Sequence, residues 1–233
     1  MTQATTGPAD SYARRIDSLI DTLEYRVCRN AAEYEAICRL RYDAYLAEGS
    51  IAASDAGTLA DAFDTSSNAV LFGVWREGEL AASIRLHLAS PRDPVSPALS
   101  AFPDHLATVL GRGQAFIDPS RFVVDAGIGR ETPGLHLGVL RLPFIAAGHL
   151  GADFVTATVR QEHEAFYRRV LNCSRVCPPR PYPTLLKPLG LMMVDYAEQA
   201  PRVLTRYPFF ASRKGEEHLF ARLAPHGAGM ASA

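Results

Sequence analysis

The chain has 233 residues, 48% of them hydrophobic, and is therefore long enough to bury one sizeable core. Its 24 basic and 25 acidic residues give a formal net charge of -1, which creates no overall field for nucleic acid. The two ends, residues 1–11 and 225–233, show no apolar periodicity, and we predict that both are disordered. We expect a single domain at residues 12–224 and no nucleic-acid partner.

The cysteines and the N-terminal segment restrict the class of protein further. Cys28, Cys38, Cys173 and Cys177 form no CxxC pair and have no histidines at the spacing of a zinc site. We expect reduced cysteines and no metal. No segment approaches the roughly 18 to 20 apolar residues that cross a bilayer, and no signal-peptide pattern opens the chain. The sequence predicts a cytoplasmic protein without a transmembrane segment.

Apolar periodicity in the first half of the chain predicts two helices, a short strand and a hairpin. The predicted elements are helices at 12–23 and 30–47, strands at 25–29, 69–76 and 79–88, and a long polar connection at 50–68. Asn30 is in position to cap the second helix, and Glu77-Gly78 is a hairpin turn. A connection as long as residues 50–68 is usually functional or mobile.

The second half of the chain alternates strands with helices. We predict helices at 104–110, 135–150 and 162–171, a loop at 125–134, and strands at 115–124, 152–159, 184–194 and 202–209. This order indicates a mixed α/β sheet, and no internal repeat or second domain boundary interrupts it.

The predicted strand at 115–124 carries polar groups where a core strand should be apolar. Asp118, Ser120 and Arg121 are costly to bury without partners. Pro119 gives no N–H to a sheet, so we expect a bulge that brings Asp118 and Arg121 towards the same face. Two interpretations remain open: a structural ion pair in a kinked strand, or a functional site.

Four motifs in fixed order carry a family resemblance. They are Arg41 with Tyr45, Asp61-Ala-Phe-Asp64, Arg85-Leu86 and Asp118-Pro-Ser-Arg-Phe122. Together they resemble the GNAT-fold acyltransferases, in particular the branch of acyl-homoserine lactone synthases and FeeM-type long-chain N-acyl amino acid synthases. The resemblance implies a mixed, mostly antiparallel sheet with a splayed central parallel pair and helices on both faces.

The resemblance also implies an activity. We expect an N-acyltransferase that moves a fatty acyl group from an acyl-carrier-protein thioester to the α-amine of an amino acid, without a tightly bound cofactor. Leu59 stands where lactone synthases place an acid, and Asp118 replaces their glutamate, which argues against S-adenosylmethionine as acceptor. The alternatives are an acyl-homoserine lactone synthase that uses S-adenosylmethionine, an acyl-coenzyme A-dependent acetyltransferase, and a non-catalytic module that binds a lipid or a carrier protein.

Site residues follow from the same motifs. The catalytic candidates are Asp118, Arg121 and Tyr167. Asp118 is either a base or the partner of Arg121, because a nearby arginine keeps a carboxylate ionised and lowers its basicity. Tyr167 is either a general acid or an ordinary aromatic on a buried helix face. His87 is a minor candidate base. The candidate substrate-binding residues are Arg41, Asp61, Asp64, Arg85, Ser120 and Phe122.

The turn after the predicted strand at 115–124 indicates which acyl donor the protein uses. Gly127-Ile-Gly129 only partly resembles the turn that holds a coenzyme A pyrophosphate, since Val124 and Pro133 depart from that pattern. We therefore expect a carrier-protein donor more than coenzyme A. An acidic carrier protein would suit a cluster of arginines, although a solvated helix face explains the same residues. These are Arg160, Arg168, Arg169, Arg175 and Arg180.

Overall fold

A computed structural model describes residues 8–182 and 184–224, built around a seven-stranded sheet. The strands are β1 (Leu23–Val27), β2 (Ala69–Arg76), β3 (Glu79–Ala89), β4 (Phe116–Val124), β5 (Phe154–Val159), β6 (Ser174–Arg180) and β7 (Leu189–Asp195). The helices are α1 (Pro8–Ile20), α2 (Ala31–Ala47), α3 (Pro97–Ala101), α4 (Pro103–Gly111), α5 (Ala126–Glu131), α6 (Leu135–Leu150), α7 (Glu164–Leu171) and α8 (Tyr196–Arg206). Short 3-10 turns lie at Ala62–Thr65, Gln161–His163, Pro208–Phe210 and Glu216–Phe220.

The sheet splits in its centre. Its strand order is β1-β2-β3-β4-β5-β7-β6, and every neighbouring pair is antiparallel except β4 and β5. The parallel pair is joined only at Phe116–Phe154 and Ile117–Val155. Beyond Ile117 the two strands are no longer paired. The fold class expected from the resemblance, with its splayed central parallel pair, is confirmed.

Both faces of β3 are buried, because helices cover the sheet on both sides. Ala82, Ile84 and Leu86 are fully buried on one face, and Arg85 and His87 are at most 1% exposed on the other. Helix α2 contacts β3 and β4, while α6 contacts β3, β4 and β5. The strand therefore carries charged side chains into the interior, where they need partners.

A bulge in β4 sets the direction of Arg121. Ser83 is opposite Val123 and Arg85 is opposite Ser120, so Arg121 and Phe122 together oppose a single residue of β3. Arg121 has φ +52, a left-handed conformation that is uncommon for a residue other than glycine. The predicted bulge exists, but it is centred on Arg121, whereas Pro119 stays in register with Leu86. It places Arg121 beside Arg85 and Ser120.

Several predicted bounds are confirmed. Strand β2 and helix α6 have the predicted limits, and the hairpin turn has positive φ at Glu77 and Gly78, as a tight hairpin requires. The Asn30 side chain caps α2 by accepting a hydrogen bond from the Glu33 N–H at 2.9 Å. All four cysteines are free thiols. None of the described helices is long and apolar enough to cross a bilayer.

The chain ends need one correction. Helix α1 begins at Pro8, so residues 8–11 are helical and not disordered. Proline is favoured in a first helical turn, where its missing N–H would have no helical partner. Residues 1–7 and 225–233, the rest of the predicted disordered ends, lie outside the described residues, and the single domain at 12–224 stays a prediction.

The secondary structure differs from the prediction at three places in the second half of the chain. Residues 202–209 are not a strand, because α8 begins at the Asp195 cap and continues to Arg206. Strand β6 was missed because Pro178 and Pro179 do not suit a strand. The two prolines are tolerated because β6 is the edge strand of the sheet, where one row of backbone groups has no strand partner. The predicted loop at 125–134 also contains α5.

His87 is a buried ionisable group on the polar face of β3. Two effects lower the pKa of His87 from 6.5 to about 3: burial, which is the larger, and the positive charge of the Arg85 guanidinium. Its Nε2 lies 3.2 Å from the carbonyl oxygen of Phe63. The imidazole of His87 therefore stays neutral in the folded protein between pH 6.5 and about pH 3, whereas the same side chain is protonated in the unfolded chain over this range.

This histidine should make the protein less stable as the pH falls. Below pH 6.5 the unfolded chain binds a proton that folded His87 does not, so the free energy of unfolding falls by up to about 1.4 kcal/mol per pH unit. Asp61 and Asp64, whose pKa values are lowered from 3.8, act only below about pH 4. We expect His87→Gln to reduce this slope between pH 6.5 and 4.5 in urea denaturation, with exposed His218→Gln as control. His136, whose pKa is also lowered, keeps its part of the slope in both variants. An unchanged slope in His87→Gln would contradict the assignment.

Candidate active site

A cavity of about 720 Å³ lies where β4 and β5 diverge. The walls come from the strand segments beyond the last parallel pair and from the connection between β6 and β7. The lining includes Pro119, Ser120, Arg121, Phe122, Val123 and Val124 of β4, Ala157, Thr158 and Val159 of β5, and Tyr182, Thr184, Leu185 and Lys187 of the connection. Ile84 and Leu140 add apolar surface. Backbone groups along the opening have no strand partner across it, so they can bind an extended ligand.

Two aspartates and three arginines form a network at one side of this cavity. Asp61 accepts hydrogen bonds from Arg121 Nε at 3.0 Å and Nη2 at 2.7 Å, and it also pairs with Arg85. Asp64 accepts from Arg85 Nη1 at 2.7 Å and from Arg41 Nη1 at 2.8 Å. Arg85 joins the two halves because its guanidinium contacts both carboxylates.

The local sequence explains how the aspartates are presented. Asp61 caps the 3-10 turn Ala62–Thr65 by accepting from the Phe63 N–H at 3.0 Å, and the Asp64 side chain accepts from the Asp61 N–H at 3.2 Å. This reciprocal capping box fixes both carboxylates against each other. Tyr34 on α2 donates a further hydrogen bond to Asp64 at 3.1 Å. The long polar connection is thus held onto the sheet by its two acids.

The network carries excess positive charge. Burial by itself would raise the pKa of Asp61, but hydrogen bonds and charges from Arg85 and Arg121 outweigh it and hold that pKa at about 2. The pKa of Asp64 is likewise lowered, because Arg41 and Arg85 outweigh its burial. Both acids are therefore ionised at neutral pH. Three arginines against two aspartates leave one positive charge unmatched within the network.

Arg121 is one of three network residues that line the cavity, the others being Asp61 and Arg85. Arg41 and Asp64 do not line it, and the Arg121 guanidinium carbon lies 5.3 Å from the ring centre of Tyr45. Its Nη2 donates to Asp61 and, at 2.9 Å, to Thr184 Oγ1. Among the described residues, none accepts a hydrogen bond from Arg121 Nη1 in good geometry, although the Tyr45 side chain lies against the same guanidinium. Burial acts to lower the pKa of Arg121, but Tyr45 and Asp61 outweigh it and raise that pKa. Arg85 also donates from Nε to Ser120 Oγ at 3.0 Å, which leaves the Ser120 hydroxyl proton free to donate.

Asp118 does not join this network. It is fully buried, does not line the cavity and forms no hydrogen bond or ion pair with Arg121, so the interpretation of Asp118 as the partner of Arg121 is wrong. Its carboxylate accepts from the Ala98 N–H at 2.8 Å and from Thr156 Oγ1 at 3.2 Å. Complete burial raises the pKa of Asp118, although these hydrogen bonds and one from Ser96 act in the opposite direction. Through these hydrogen bonds the Asp118 side chain connects α3 to β4 and β5. It lies beside the opening where β4 and β5 separate after Ile117, which we call the fork.

The remaining predicted site residues are divided between cavity and core. Tyr167, Ser120 and Phe122 line the cavity, and burial raises the pKa of Tyr167, so its hydroxyl stays protonated at neutral pH. The minor candidate His87 does not line the cavity. Sequence reasoning missed Tyr182 and Thr184, which reach the cavity from a proline-rich connection without any recognisable motif.

The backbone N–H groups of the turn after β4 are bound by the side chain of Asp125, a residue of the same turn. Asp125 Oδ1 accepts from the N–H groups of Gly127 and Ile128, both at 2.9 Å. Gly129 packs closely on β4, since a side chain there would come within 2.9 Å of Val124 Cγ1. The two amides that could hold a phosphate group are thus already bound to a carboxylate.

Most of the predicted arginine cluster is paired with acids. Arg175 binds Glu164 at 2.8 Å from Nε, Arg168 lies 4.0 Å from the same carboxylate, and Arg180 binds Asp104 at 2.9 Å. Arg160 lies 3.2 Å from Glu162. Arg169 is exposed. These pairings reduce the positive charge that the cluster presents to a partner.

Comparisons with known proteins identify the family. The family model described as N-acyl amino acid synthase FeeM matches residues 36–195. A comparison with curated protein sequences finds no match. The structure of FeeM, an N-acyl amino acid synthase from uncultured soil microbes, is similar at a TM-score of 0.66 and 18% identity, covering 79% of this chain and 96% of FeeM.

Two other solved structures show the same fold. BjaI, a coenzyme A-dependent acyl-homoserine lactone synthase, has a TM-score of 0.56 and 17% identity, covering 80% of this chain and 89% of BjaI. TofI, solved with an inhibitor and MTA, has a TM-score of 0.57 and 19% identity, covering 82% of this chain and all of TofI. With the fold and the family match together, the chain belongs to the FeeM family of N-acyl amino acid synthases and is an acyltransferase with the GNAT fold.

Proposed function

We propose that the protein transfers a fatty acyl group from an acyl-carrier-protein thioester to the α-amine of a free amino acid. One observation carries this proposal: the fork between β4 and β5 opens into a cavity whose wall includes Arg121, part of a buried cluster with excess positive charge. An extended thioester arm suits the fork, and an amino acid carboxylate suits the arginine.

The acceptor is recognised by charge. Arg121 Nη1 has no acceptor among the described residues and can donate to a carboxylate. The unmatched positive charge nearby also disfavours the ammonium form of a bound amino acid. Since a free α-amine titrates near pH 8, this shift supplies neutral amine without a strong base. Asp118, which lies outside the cavity lining, acts in this account as a positioning residue at the fork.

The reaction itself needs one proton at the leaving group. The amine nitrogen bonds to the thioester carbonyl carbon, and the C–S bond then breaks. Tyr167 lines the cavity and keeps its proton at neutral pH, so it donates that proton to the departing thiolate. A proton from the acylated amine returns to Tyr167 through water. The Ser120 hydroxyl, whose proton is free, stabilises the oxyanion.

The choice of donor rests on Asp125. Its carboxylate occupies the Gly127 and Ile128 N–H groups and would repel the pyrophosphate of coenzyme A at that turn. A carrier-protein arm brings only one phosphodiester and does not need those amides. This supports a carrier protein as the donor.

One prediction concerns the product of the reaction. Extracts of cells that make the protein should contain a new N-acyl amino acid by mass spectrometry. Arg121→Ala should lower kcat/KM for the amino acid at least about thirtyfold, since it removes a charged contact of the acceptor. Tyr167→Phe should lower kcat about a hundredfold and change KM little.

The control for both variants is Arg92→Ala, which removes an exposed arginine away from the cavity. Because Arg121 also binds Asp61, the fold of Arg121→Ala is checked by circular dichroism. Absence of any acylated amino acid from the wild type, or full activity in folded Arg121→Ala, would refute the proposal.

Another prediction concerns the acyl donor. With the same acyl chain on carrier protein and on coenzyme A, we expect kcat/KM at least about tenfold higher for the carrier protein. Asp125→Asn removes the carboxylate charge and should narrow this preference by raising activity with acyl-coenzyme A. Equal or better use of acyl-coenzyme A by the wild type would assign coenzyme A as the donor instead.

A further inference from the structure

The connection between β6 and β7 forms a wall of the cavity. Tyr182, Thr184, Leu185 and Lys187 line the cavity from this connection. It is held to the end of α2, because the Leu186 N–H donates to the Ser50 carbonyl oxygen at 2.9 Å and Lys187 Nζ contacts the Glu48 carbonyl oxygen. The position of Thr184 is therefore defined by hydrogen bonds beyond its own.

Thr184 has an unusual backbone. Its φ is +68, in the left-handed region that β-branched residues rarely adopt. Its side chain is exposed to the cavity mouth, so core packing does not hold it in this conformation. The residue that it contacts, Arg121, is also left-handed at φ +52. Strained residues that meet across a cavity are typical of functional sites.

The hydrogen bond between them leaves a pair of donors unused. Arg121 Nη2 donates to Thr184 Oγ1 at 2.9 Å, so the hydroxyl oxygen accepts and its proton remains free. Arg121 Nη1 has no acceptor among the described residues. The two donors lie on neighbouring groups that both line the cavity. A carboxylate has two oxygens to match them.

We propose that Thr184 and Arg121 together clamp the carboxylate of the acceptor, so that Thr184 determines selectivity for amino acids over amines without a carboxylate. This inference rests on the proposed function. Arg121 provides charge, which any anion could use. Thr184 provides the second donor, and through its bond to Nη2 it fixes the guanidinium plane.

The test compares matched acceptors. Phenylalanine with 2-phenylethylamine, and leucine with 3-methylbutylamine, differ only in the carboxylate. We expect Thr184→Val, which keeps the shape but has no hydroxyl, to lower kcat/KM about tenfold for both amino acids and to leave both amines unchanged. Thr184→Ser should retain the wild-type ratio of amino acid to amine. Leu186→Ala, on the same connection with a side chain outside the cavity lining, is the matched control.

Two results would overturn the clamp. An equal loss for amino acids and amines in Thr184→Val would make the hydrogen bond a latch of the connection only. Full retention of kcat/KM for both amino acids in Thr184→Val would show that the hydroxyl does not contact the acceptor. The affinity of the wild type and of Thr184→Val for phenylalanine and leucine, measured by calorimetry, tests the clamp without turnover. Wild type that binds them in a Thr184-dependent way but transfers no acyl group would support the clamp and refute the proposed function.

Discussion

Two aspartates hold three buried arginines together, and the rest of the site depends on that arrangement. Burying these charges is costly, and only close pairing offsets the loss of water. Asp61 and Asp64 supply the pairing from a capped 3-10 turn, while Arg85 and Arg121 come from neighbouring strands. A polar connection, the sheet and α2 are thereby fixed to each other. Because the arginines outnumber the acids, the same interaction that orders the connection leaves positive charge at the cavity wall.

The separation of β4 and β5 opens the cavity to which this positive charge is exposed. Strands β4 and β5 separate after Ile117, and the bulge then turns Arg121 onto the side of Arg85. Asp118 stands at the point of separation, where it binds Thr156 on β5 and the N–H of Ala98 on α3. It thus sustains the geometry of the fork from within the core. Donor and acceptor meet because one strand forms the edge of the opening and also carries the arginine.

Much of the fold follows from local sequence, and much of the site does not. Strand β2 and the Asn30 cap are encoded by residues close together in the chain, so the sequence predicts them. The capping box of Asp61 and Asp64 is equally local, but it lies in a segment that the sequence predicts only as a polar connection. The direction of Asp118 depends on α3, twenty residues away, and no pattern in β4 predicts it. The connection that carries Thr184 to the cavity is anchored on Glu48 and Ser50, just after α2 and far away in the sequence. Periodicity and motifs describe elements; contacts between distant segments decide which polar residues share a site.

The central claim is that the fork holds the acyl arm while Arg121 holds the acceptor. The most direct measurement is a crystal structure of the protein with a non-hydrolysable acyl-pantetheine analogue and an amino acid. We predict density for the arm between residues 119–124 and Ala157–Val159, with the amino acid carboxylate on the Arg121 guanidinium. Density for the arm outside the fork, or an amino acid whose carboxylate points away from Arg121, would contradict the account.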